Sequence, residues 1–175
     1  MNDAQRADTR AVFAGIDNAG LLDFVAAWYV KAARYMAAHP VIRTAFVSTN
    51  SITQGEQVGA LWGWLLAQGA RIHFAHRTFS WSNEARGKAA VHCVIVGFGL
   101  QDVAEKTIFE YEDIKGEAHA IKAANINPYL VDAPDVLADG RMSPLCRVPA
   151  ICNGSIPADG GHLILEPEER EALLA

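Results

Sequence analysis

No stretch of this chain approaches the ~20 consecutive apolar residues needed to cross a bilayer. Its first residues, Met-Asn-Asp-Ala-Gln-Arg, lack the basic-then-apolar order of a secretory signal. No membrane partner is expected, and a cytoplasmic location is the default. Cysteine is scarce: Cys93, Cys146 and Cys152 form an odd set. Cys93 lies in an apolar run and reads as a reduced core thiol. Cys146 and Cys152 have no second CxxC and no neighbouring His pattern, so no metal site is expected. There is no excess of positive charge either. The net charge is −5, whereas a free-standing nucleic-acid-binding domain is usually basic, because phosphate contacts dominate its affinity. That counts against DNA binding by this chain alone but leaves open a role within a larger enzyme. Internal repeats are absent.

What is present suits a packed core. With 51% hydrophobic and 20% charged residues over 175 positions, the chain has the composition of one domain or slightly more, not of a disordered segment. Residues 1–15 fit a short helix. Asn18 is positioned to cap a helix from Gly20 to Ala38, ended by His39-Pro40. Its apolar residues, among them Leu21, Phe24, Val25, Trp28 and Tyr29, cover most of the circumference and predict a largely buried helix. Val41 to Val47 has few polar breaks, as in a parallel strand covered on both faces. A helix from Thr53 to Ala67 follows, with Gly69 as its C′ residue, and then a strand from Arg71 to Phe79. Helix–strand–helix–strand is the doubly wound α/β order, with a crossover helix between parallel strands.

Beyond this point the order changes. Ala89 to Phe98 is a strongly β-prone run with no helix before it, so it should pair antiparallel with the preceding strand. Lys106–Tyr111 and Ala118–Ala123 read as short strands. Residues 125–137 (NINPYLVDAPDVL) read as an ordered loop, residues 139–162 as irregular, and Glu166-Pro167 as the start of a short acidic helix.

Four blocks carry a family resemblance: LLDFVAAWYVKAARYM (21–36), FVSTNSITQGEQVGALWGWLL (46–66), IHFAHRTFSWSNEARGKAAVHCVIVGF (72–98) and INPYLVDAPDVL (126–137). Together they resemble the gamma-type N6-adenine DNA methyltransferases of the fused type IIL/IIG restriction–modification enzymes, over most of residues 18–167. The fold implied is α/β: the C-terminal half of a class I (Rossmann-like) methyltransferase sheet ending in an antiparallel hairpin, followed by an irregular β-rich segment. The resemblance also implies a division, with residues 1–124 belonging to the catalytic domain and residues 125–175 beginning a target-recognition domain. Two of the family's motifs are absent, the Gly-rich cofactor loop and the Asn-Pro-Pro-aromatic tetrapeptide. Asn127-Pro128-Tyr129 is only a decoy, lacking the second proline and lying after the hairpin. The chain thus resembles one part of an enzyme that methylates adenine N6 in a specific DNA site with S-adenosylmethionine as cofactor. Its expected partners are double-stranded DNA and the preceding portion of the enzyme, and alone it is expected to be inactive and to self-associate. The alternative is a non-catalytic DNA- or protein-binding domain derived from that family.

Methylating a base inside a duplex requires turning it out of the stack and holding it on aromatic or apolar side chains. Trp81 and Phe79, at the end of a strand and the mouth of the hairpin, are the candidates for that platform. Packing beneath the hairpin is the competing role. Ser48, Thr49, Asn50 and Ser51, with Gln54 beyond them, lie at a strand's carboxyl end, where open α/β sheets bind ligands. They could line a pocket or merely form a turn and cap the next helix. Asp23 is a weaker candidate for cofactor contact, since an acid there also suits a helix dipole. Asn83, Arg86 and Lys88 in the hairpin loop could contact DNA phosphate, as could any solvated loop. His73, His76 and His92 read as core or surface residues.

Overall fold

A computed structural model describes residues 2–81, 91–138, 146–148 and 166–174. The chain divides into two compact units, Met1–Gly140 and Arg141–Ala175. The second contributes the helix α4 (Pro167–Leu174), acidic in its first turn as the sequence suggested.

The first unit contains α1 (Asp3–Val12), α2 (Ala26–Ala38), β1 (Arg43–Thr49), α3 (Gln57–Ala67), β2 (Arg71–Trp81), β3 (Val91–Gly99), β4 (Lys106–Tyr111) and β5 (Ala118–Ala123). The strands form one sheet in the order β1-β3-β2-β4-β5. β3 is antiparallel to both β1 and β2, so these two run in the same direction with the crossover helix α3 between them in sequence. β4 joins β2 in parallel, and β5 returns antiparallel to β4.

Several local signals act as their chemistry requires. Asn2 and Gln5 exchange side-chain and backbone hydrogen bonds of 2.8 and 2.9 Å, a capping box that starts α1. Gly69, at φ +87°, closes α3: its N–H reaches Leu66 O at 2.9 Å while Ala70 N–H reaches Leu65 O at 3.0 Å, the paired bonds of a Schellman motif.

Other expectations need correction. Asn18 is left-handed (φ 56°) and caps nothing with its side chain; Ala19–Leu21 is a 3-10 turn, and α2 starts only at Ala26. The break has a tertiary cause, because the Asp23 backbone N–H is held by Gln57 Oε1 at 3.2 Å. Nor is the helix buried all round: Trp28 is 53% and Tyr35 61% exposed. β1 has no parallel neighbour among the described residues and is not covered on both faces. It pairs with β3 alone, and its side chains alternate between exposed and partly or fully buried. α3 begins at Gln57, after a 3-10 turn over Asn50–Thr53, because Gly55 turns the chain at φ +66°.

Ile126 and Leu130 are buried in the same core as α2 and α3, and the first unit runs to Gly140. Residues 125–138 are held by their own polar network. Asp132 Oδ1 accepts the N–H of Ala124 and Asn125 at 3.2 and 2.9 Å. Asn127 accepts from Tyr129 and Val131 at 3.0 and 3.3 Å and is itself buried. The carboxamide of the Asn-Pro-Tyr decoy is therefore spent on its own loop. Lys106, 3% exposed in its side chain, ties this loop to the sheet, bonding Asp102 at 2.9 Å and Asn125 Oδ1 at 3.2 Å. Burial alone would raise the Asp102 carboxyl, but the bonds from Lys106 and from the Val103 N–H outweigh it and hold it below the usual carboxylate range.

The core lies between the sheet and α2/α3. Tyr29 stacks on Phe98 at 5.4 Å and meets Trp62 edge-on at 6.0 Å. Trp62 Nε1–H donates to Ile52 O at 2.9 Å, satisfying a fully buried donor.

Candidate functional site at the carboxyl edge of the sheet

The carboxyl ends of β1 and β2 meet across the start of β3. Thr49 and Phe79 both pair with Cys93, one from each side, so the three form a row across the sheet. Trp81, two residues further along β2 and opposite Val91, ends the strand and is 44% exposed. Phe79 is half-buried, with its ring 6.1 Å from Trp81.

Two bulges in β2 create this arrangement. The register slips between Ile72 and Phe74 and again between His76 and Phe79. Each extra residue reverses the alternation of sides. The first keeps Ile72 and Ala75 on the covered face, opposite Phe98 and Val96, and puts Phe74 on the other, opposite Gly97. The second leaves His76 and Phe79 on that same open face, although an odd spacing in a regular strand would separate them. The open face therefore carries Phe74, His76, Phe79 and Trp81 from β2, beside Phe109 and Tyr111 of β4.

Next to this row lies a polar cluster. Ser51 Oγ and Gln57 Nε2 each donate to Asp23 Oδ2 at 2.9 Å, and Thr49 Oγ1 lies 2.9 Å from Ser51 Oγ. The structure thus brings Asp23, Thr49 and Ser51 together. It adds Gln57, which sequence reading missed because the residue that needs it is 34 positions away. Asn50 opens the 3-10 turn, and Gln54 stands exposed just after it. Ser48 behaves differently. It points into the core, buried, with its Oγ 2.7 Å from the Tyr29 hydroxyl, so it does not line an open pocket. Burial pushes the Tyr29 phenol well above its ordinary value despite that bond.

Cys93 is a free, buried thiol, and burial raises its pKa. His73 is buried with Nε2 2.8 Å from Gln101 O, His76 is half-buried, and His92 is exposed. Desolvation holds both His73 and His76 below the ordinary imidazole value. Asn83, Arg86 and Lys88 lie outside the described residues, as does Cys152. Among the described residues no group of His, Cys, Asp and Glu could hold a metal ion, and no helix is long and apolar enough to cross a membrane.

Residues 1–110 match the family described as MmeI, DNA-methyltransferase domain. This chain belongs to that family. It is 40% identical over 165 residues to DNA methyltransferase A of Bacillus subtilis (strain 168), a match that covers 94% of this chain and 18% of that protein. The solved structure of the type IIL restriction–modification enzyme MmeI in complex with DNA superposes with a TM-score of 0.90 at 55% identity, over 99% of this chain and 23% of that one. The chain therefore spans under a quarter of the length of the relatives it matches. Its mixed α/β sheet, with β3 inserted antiparallel between β1 and β2, is the C-terminal part of a class I methyltransferase sheet, the fold the sequence blocks implied.

Within the MmeI methyltransferase fold, the fit of this chain to the family's methyl donor is partial. Asp23 offers one placed acceptor: its Oδ2 is filled by Ser51 and Gln57, and no partner of its Oδ1 appears among the described residues. Among the described residues no Gly-rich loop joins a strand to a helix.

Proposed function

We propose that this chain is the base-holding part of a DNA adenine-N6 methyltransferase that uses S-adenosylmethionine, within a restriction–modification enzyme. The observation that carries this reading is the half-exposed Trp81, adjoining Phe79 at the carboxyl edge of the sheet. An aromatic ring there can hold an extruded base, a contact worth ~1–3 kcal/mol. Trp81 is the platform and Phe79 its inner neighbour. Thr49, Asn50 and Gln54 border the same edge, and Asp23 faces the methyl donor. Arg86, Lys88 and Asn83 are proposed to reach the phosphates of double-stranded DNA. Residues 125–175 are proposed to begin the target-recognition domain.

Because the chain offers only one wall of the cofactor site, the preceding portion of the enzyme is its necessary partner, and the chain is inactive alone. Among the described residues β1 has a strand neighbour on one side only, and Val47 is exposed on its open face, which supports such a partner. Without it the chain self-associates, and a monodisperse monomer by light scattering would count against this. In the enzyme that carries this chain, Trp81→Ala should abolish protection of the target site while leaving overall DNA affinity within a few-fold. Retained protection would refute the platform. Titrating S-adenosylmethionine into the isolated chain should give no heat, and micromolar binding would overturn the claim that one wall is insufficient.

A further inference from the structure

We infer that Tyr111 and His76 are positioning residues for the base platform. They form a relay of rings that runs from β4 across β2 to Trp81 and fixes the plane on which an extruded base rests. The inference depends on the reading of Trp81 and Phe79 as that platform.

The relay is continuous. His76 lies flat on Phe109, with centroids 4.2 Å apart and planes 7° from parallel. Its Nδ1 is 2.8 Å from the Tyr111 hydroxyl. The Tyr111 ring stacks on Phe79 at 5.3 Å and 24°, and Phe79 in turn meets Trp81 at 6.1 Å. Every member before Trp81 is only half-buried, so hydrophobic burial does not fully account for the set. The rings of the covered face carry one polar link between side chains, Tyr29 to Ser48, and it lies wholly inside the core. On the open face the polar link joins two stacks, Phe109–His76 and Tyr111–Phe79. A ring held by stacking alone can slide in its plane, because stacking is weakly directional. A hydrogen bond from its hydroxyl to a ring that is itself stacked removes that freedom. Trp81 is at the strand's last position and has no other ring neighbour among the described aromatic pairs. Among the described rings its orientation is set through Phe79, and that of Phe79 through Tyr111 and His76. The bulge between His76 and Phe79 serves the same end, since without it the two would lie on opposite faces.

The test uses the whole chain labelled with 5-fluorotryptophan, which gives one fluorine resonance for each of its four tryptophans. Trp81→Phe assigns the Trp81 signal, and adenosine is the probe, its binding followed by calorimetry and by that signal. Tyr111→Leu and His76→Leu should move the Trp81 resonance while Trp62 and Trp64 stay in place, and should weaken adenosine binding about threefold. Tyr111→Phe, which keeps the ring, should restore affinity to within about twofold while still shifting the resonance, because the link to His76 is lost. If Tyr111→Leu unfolds, Phe109→Leu at the far end of the relay replaces it. An unmoved Trp81 resonance in the Tyr111 and His76 variants would overturn the inference, whatever adenosine does. If adenosine does not bind the unaltered chain, or Trp81→Ala leaves its binding unchanged, the platform reading fails instead.

Discussion

The two faces of the sheet carry similar aromatic content and treat it in opposite ways. On the covered face, Tyr29, Trp62 and Phe98 are fully buried, and their polar atoms find partners inside the core. On the open face, Phe74, His76, Phe79, Phe109 and Tyr111 are each partly exposed, and Trp81 stands at the edge. Rings of the first kind contribute through burial and packing. Those of the second kind leave a surface open, and of the β2 rings only Phe79 and Trp81 lie at the strand's carboxyl end. Ring content alone does not separate buried rings from open ones; the side of the sheet does.

The sharpest way to break that comparison is to truncate one ring on each face. Phe98→Ala should cost ~3–5 kcal/mol of unfolding free energy, as large core truncations do. Trp81→Ala should stay within about 0.5 kcal/mol. Urea titrations that gave equal losses would erase the distinction. A smaller effect is expected where the faces meet through the backbone. A Cβ on Gly97 would come within 2.1 Å of the Phe74 ring, so Gly97→Ala should cost ~1–3 kcal/mol, with Phe74→Leu recovering part of it in the double variant.

The polar links differ in the same sense. Tyr29→Phe or Ser48→Ala alone leaves a buried hydroxyl without its partner and should cost ~1–3 kcal/mol. The double variant should cost less than the sum, and a double-mutant cycle with no coupling would remove the link from the account.

Acidification tests the two desolvated imidazoles of β2. His73 and His76 are held below 6.5 by burial, so the unfolded chain takes up protons first. Their contribution to stability is full above pH 6.5 and declines as pH falls through that value towards their folded pKa values, below which it flattens. His76→Gln should shrink this slope in denaturant midpoints between pH 7.5 and 5.5, and an unchanged slope would assign it to His73 alone. The smallest effect belongs to Arg77–Glu110, 2.6 Å apart with both side chains more than 40% exposed. Arg77→Ala should change stability by no more than ~1 kcal/mol, and less as salt is added.

Much of this protein was legible locally. The spans Lys106–Tyr111 and Ala118–Ala123, the end of α2 at Ala38, the Gly69 stop of α3 and the antiparallel pairing of β2 with β3 all follow from nearby residues, because propensity, capping and turn chemistry act over a few positions. Sequence blocks also identified the family. Tertiary structure decided the rest. The break before α2 depends on Gln57, which is distant in sequence from the Asp23 N–H it holds. Ser48 looked like a site residue and became a core residue once Tyr29 was placed above it. The extra residue between His76 and Phe79 has no compositional mark, since a bulge is defined by the partner strand and not by its own letters. Sequence alone named Trp81 and Phe79. Only the register against β3 decided that they share a face with His76 and Tyr111, because which side of a strand a residue occupies depends on pairings formed after the chain has come together.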